Sequence, residues 1–84
     1  MMGQQELTRA YSSYIYLTTM LDRGWQIESP VYVRPRWRSR TRPRQEDTYH
    51  FVLRQGERSS LISVFDCPEV RQFLEDEALD VDRR

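Results

Sequence analysis

Lysine is absent from this 84-residue chain, and all 13 of its basic residues are arginine. Cysteine occurs once, at Cys67. A lone thiol excludes an internal disulfide, and with a single histidine beside it no zinc site is expected within one chain. Glycine occurs only at positions 3, 24 and 56, too scattered for a phosphate-binding loop. No apolar run approaches the roughly 18–20 residues of a membrane-spanning helix. The nearest stretch, Tyr14 to Leu21, is short, rich in Tyr and Thr, and follows Glu6 and Arg9. It lacks a cationic leader and a small-residue cleavage site, so no signal peptide is expected and elimination leaves a cytoplasmic location. Neither a cofactor nor a metal is expected, and no membrane partner.

Net charge is zero, with 13 acids against 13 arginines, so total charge says nothing about partners. The lack of lysine fits a GC-rich genome and does not signal heat adaptation, which favours Lys and Glu. The length fits one domain, residues 1–84. A chain of this size buries only about 60–65% of its unfolded surface, enough for one modest core. Leu, Ile, Val and Phe number 19 of 84, a little above the range typical of disorder. A marginal fold that gains stability by association is expected.

Residues 5–23 read as an amphipathic helix, with Leu7, Ala10, Tyr11, Tyr14, Leu17, Thr18 and Leu21 on one face and Gly24 closing it. An extended segment follows from Trp25 to Val33, with a kink or bulge at Ser29-Pro30. Residues 48–54 alternate as a strand, with Tyr49, Phe51 and Leu53 on one side and His50, Val52 and Arg54 on the other. Gln55-Gly56-Glu57-Arg58 is a turn, and residues 60–65 complete a hairpin. Asp66, Pro68 and Glu69 mark the start of a second helix whose buried stripe is Val70, Phe73, Leu74 and Ala78. Residues 79–84 read as a frayed tail. The fold class is α+β: a helix, a three-stranded antiparallel meander and a second helix, with both helices on one face of the sheet. If Phe51, Leu53, Leu61 and Phe65 point inward, the free face carries His50, Val52, Ile62 and Val64.

One segment has unusual chemistry. Residues 34–44 hold Arg34, Arg36, Arg38, Arg40, Arg42 and Arg44, alternating with uncharged residues and without an acid. Pro35 and Pro43 exclude a regular helix there, so residues 35–46 read as a loop or a strand extension. As a β-strand the segment would put all six guanidinium groups on one side and Trp37 on the other. Guanidinium matches phosphate geometry and stacks on bases, and Trp37 adds a second stacking group. The alternatives are a solvated arginine loop, or neutralisation by Glu75, Asp76, Glu77, Asp80 and Asp82 within the fold or across a dimer.

His50 is a candidate acid or base, and equally an ordinary half-buried strand histidine. Cys67, at a helix start, is either a dipole-activated thiol or a small residue filling the cap region. The element order resembles the double-stranded RNA-binding domain, whose second helix opens with a lysine-rich motif; here Pro68 to Glu77 is acidic. Leu21-Asp-Arg-Gly24-Trp25 and His50-Phe51 resemble the HicA-type toxin, a small ribonuclease on a similar fold. That resemblance implies His50 as the general acid or base for RNA cleavage. It covers two dipeptides, and Thr48-Tyr49 stands where that family has glycine-serine.

Three functions are therefore in play. The first is a non-catalytic interaction module that self-associates, or takes a protein partner, through the free sheet face, since both faces of the hairpin are apolar. The second is nucleic-acid binding through residues 34–44. The third is a HicA-like ribonuclease using His50.

Overall fold

The computed structural model describes residues 2–37 and 45–83, with side chains described for residues 11–35 and 47–83. Helix α1 (Met2–Asp22) is followed by strands β1 (Gln26–Trp37), β2 (Gln45–Gln55) and β3 (Arg58–Phe65). Helix α2 (Pro68–Asp76) and a short strand β4 (Val81–Arg83) complete the chain. The sheet order is β3-β2-β1-β4. Strands β1 to β3 form the expected antiparallel meander, and β4 adds to β1 in parallel.

The core grows from the inward row of β2. Tyr49, Phe51 and Leu53 are essentially inaccessible to solvent. Phe51 lies opposite Ile62, and Tyr49 opposite Val64. Val31 and Val33 of β1 complete the layer. Both helices cover this side. Leu17 of α1 and Val70 and Leu74 of α2 belong to the same buried cluster. The rings of Tyr14, Phe73 and Phe51 link helix to helix to sheet edge-to-face, with centroids 6.2 Å and 6.4 Å apart.

The inward pair on β3 corrects the sequence expectation. Ile62 and Val64 lie in the core at 4% and 0% exposure, whereas Leu61 is 64% exposed. Loop parity is the reason. Gln55 pairs with Arg58 across a two-residue loop, Gly56-Glu57. Gly56 has φ +62, as the first position of a tight II′ hairpin requires. Opposite residues in an antiparallel pair share a face, so this loop puts Ile62 beside Phe51; one residue of slip would invert the row.

Both helices close alike. After α1, Trp25 N–H donates to Met20 O and Gly24 N–H to Leu21 O, with Gly24 left-handed at φ +93. After α2, Leu79 N–H donates to Leu74 O and Ala78 N–H to Glu75 O. This double bond pattern needs a left-handed residue, and at α2 it is Ala78 at φ +50. At the start of α2 the capping position is Cys67, without a side-chain cap bond, and Pro68 opens the first turn. Asp66 is turned elsewhere: it accepts from Tyr49 Oη at 3.4 Å and pairs with Arg71 Nε at 3.2 Å.

The frayed tail is a second correction. Turned by Ala78, the chain packs Leu79 against the core and pairs Val81–Arg83 with β1. Val31 N–H donates to Asp80 O at 2.8 Å, and Arg83 Nη1 donates to Asp47 Oδ2 at 2.9 Å. Backbone groups that β1 would otherwise show to solvent gain partners, which offsets the ordering of these residues.

An L-residue in the left-handed region is disfavoured by roughly 1–2 kcal/mol, and glycine is not. Ala78→Gly is expected to raise stability by about 0.5–1 kcal/mol, read as a higher urea midpoint at unchanged slope. An unchanged or lower midpoint would contradict this account of the α2–β4 corner.

Candidate interaction surface

The same alternation that buries Phe51 turns its neighbours outward. Tyr32, His50 and Ser63 are aligned across β1, β2 and β3, and Glu28, Val52 and Leu61 form the next row. His50 and Val52 therefore lie on the free face as expected. Ile62 and Val64 do not, and Leu61 and Ser63 take their place. From sequence, Leu61 is expected to point inward, and neither Tyr32 nor Ser63 stands out. The signal that could have found them is the parity of the two-residue loop, carried from the inward row of β2 onto β3.

On this face His50 Nδ1 lies 2.8 Å from Ser63 Oγ. Arg54 Nη2 pairs with Glu28 Oε1 at 3.1 Å, both half-exposed, so the pair adds little stability. The Arg34 guanidinium sits 5.9 Å from the centroid of the Tyr32 ring, two residues away on the same side of β1, and donates to Val33 O. On β4 the Cα partner of Tyr32 is Asp82. The face is thus mixed: an aromatic and an imidazole side by side, Arg34 at one side, Asp82 at the other, and Val52 with Leu61 below.

β1 and β2 run on beyond the end of β3. Arg34, Pro35, Arg36 and Trp37 pair with Thr48, Asp47, Glu46 and Gln45. The strand-extension reading of the arginine segment therefore holds for its first residues, with Arg34 and Arg36 at one phase and Trp37 at the other. Arg38, Arg40, Arg42 and Arg44 lie outside the described residues. Of the acids named as counter-charge, Asp80 meets β1 through its backbone carbonyl and Asp76 accepts from Gln72 at 2.8 Å, and the arginine side chains from Arg36 to Arg44 that they would neutralise lie outside the described residues.

Among the described residues β3 is an outer strand, with no strand paired to its free edge. Asp66 N–H donates to Asp47 O, so the even residues of this stretch face β2. The odd ones, Ser59, Leu61 and Ser63, turn their backbone groups to the edge and are exposed. At the far end Phe65 N–H donates to Ser13 Oγ of α1, which closes that part.

Elsewhere the titratable groups serve the fold. Burial pushes the Cys67 thiol up, against the Val70 backbone N–H, which favours the thiolate. Burial also raises Tyr49, and the carboxylates of Asp66 and Asp47 add to this while Arg83 opposes it. A groove of about 570 Å³ between α2 and β4 is walled by Leu74, Leu79 and Val81, and its arginines, Arg71 and Arg83, are already paired with Asp66 and Asp47. Among the described residues no three His, Cys, Asp or Glu side chains gather in a way that could hold a metal ion, and no helix is long and apolar enough to cross a membrane. No protein-family model, curated protein or solved structure matches the chain.

Because the folded pKa values of Cys67 and Tyr49 lie above the unfolded ones, their protonated forms stabilise the fold fully below the ordinary values of 9.0 and 10.0. That contribution is lost as pH rises through the raised folded values. The urea midpoint is expected to stay level below the ordinary thiol value and to fall above it, with a shallower fall in Cys67→Ala. Native Cys67 should also react with an aromatic disulfide reagent far more slowly than the unfolded chain does. A native thiol as reactive as the denatured one would show that the cap region activates it.

Proposed function

We propose that the chain is a non-catalytic interaction module that associates with a second copy of itself through the open β3 edge. The observation that carries this reading is Leu61, 64% exposed at the middle of the strand that is outermost among the described residues. Soluble proteins commonly guard such edges with charge, proline or a bulge. From Ser59 to Phe65 this strand carries no charge and no proline.

The edge is also self-complementary. An antiparallel pairing about a two-fold axis at Leu61 sets Leu61 against Leu61 and Ser59 against Ser63, with no like charges opposed. Val52, beside Leu61 on the free face, widens the apolar contact. The association surface thus moves from the broad free face expected from sequence, which lost Ile62 and Val64 to the core, to its margin. A single strand edge buries less than the roughly 1,200 Å² of a standard interface, so the dimer is weak and concentration-dependent.

Sedimentation velocity over a wide protein range tests this. Wild type is expected to move from monomer to dimer with concentration. Leu61→Lys is expected to remain monomeric while its own stability changes by no more than about 0.5 kcal/mol, since the side chain is exposed. A wild type that stays monomeric at millimolar concentration, or a Leu61→Lys chain that dimerises as well, removes the proposal.

A further inference from the structure

The Tyr32–His50 row has chemistry that self-association at the edge leaves unused. Tyr32 and His50 are Cα partners on adjacent strands, so both planar groups rise from one face, with their Cβ atoms about 5 Å apart. Two planar groups side by side suit two successive unstacked bases. The Arg34 guanidinium lies over one face of the Tyr32 ring, which leaves the other face for a base, and Arg36 follows at the same phase along the backbone of β1. Past Trp37 the sequence to Arg44 adds four further arginines and no acid. On this face Glu28 is already paired with Arg54. The sequence is therefore cationic where β1 leaves the sheet.

We propose that this face binds single-stranded nucleic acid, with bases stacked on Tyr32 and His50 and the phosphates lying on the Arg34 side. A duplex hides its bases from a flat sheet, whereas a single strand can splay them onto planar side chains. Pairing of β3 edges would extend the sheet sideways and leave this row open, so the two proposals stand or fall separately.

Fluorescence anisotropy with labelled oligo-dT and oligo-U of about 15 nucleotides, and a duplex of equal length, tests the proposal over a salt series. Both single strands are expected to bind better than the duplex, with a log–log salt slope of about −0.7 per phosphate contacted. Tyr32→Ala is expected to weaken single-strand binding at least about fivefold, the lower end of a stacking contribution, and Tyr32→Phe to leave it unchanged. Arg34→Gln is expected to flatten the slope by about 0.7. A difference between the dT and U arms identifies a contact to the 2′-hydroxyl or the thymine methyl within the same site. No binding by wild type at low salt, preference for the duplex, or full affinity in folded Tyr32→Ala would each overturn the proposal. Loss of binding in Tyr32→Phe would also overturn it, since the ring face is kept there.

Discussion

A two-residue connection between β2 and β3 leaves the hairpin one choice of phase. With Gln55 opposite Arg58, Phe51 must face Ile62 and Tyr49 must face Val64. The alternative, Leu61 opposite Phe51, needs a loop of odd length, and Gly56-Glu57 does not supply one. Everything else on the sheet inherits this parity. It decides that Ile62 and Val64 are interior, that Leu61 meets solvent on an outer strand, and that His50 shares a face with Ser63, while the β1–β2 register adds Tyr32 to that row.

The second constraint is the way α2 ends. An alanine in the left-handed region turns the chain at residue 78 and sends it back beside β1. That turn converts residues 81–83 from a tail into a covering strand. It also brings Asp82 next to Tyr32 and Arg83 next to Asp47, so the β4 side of the sheet is lined by charges from the end of the chain.

The polar interior chemistry is consistent with a structural role. Tyr49 reaches Asp66, Asp66 reaches Arg71, and Asp47 reaches Arg83, a set of contacts that ties β2 to α2 and β4 along one margin of the core. Asp66 is occupied there, which is why it does not cap α2 as its position before Pro68 and Glu69 leads one to expect. Cys67 stands in the capping position but is buried, and burial outweighs the helix end in setting its thiol.

Local pattern alone determined much about this protein. A period near 3.6 placed α1 and α2, alternation placed β2 with Tyr49, Phe51 and Leu53 inward, and Gly24 and Gly56 marked their turns. These signals are legible because each depends on neighbours within one element. The phase of β3 was not legible in that way, since Leu61, Ile62, Val64 and Phe65 are apolar at both parities and only pairing with β2 chooses between them. Nor was β4, three residues with no strand pattern of their own, which are ordered by pairing with β1 and by the Arg83 contact to Asp47 on β2. The surface where Tyr32, Arg34, His50 and Ser63 come together spans three strands, so no stretch of sequence contains it, and tertiary pairing alone assembled it.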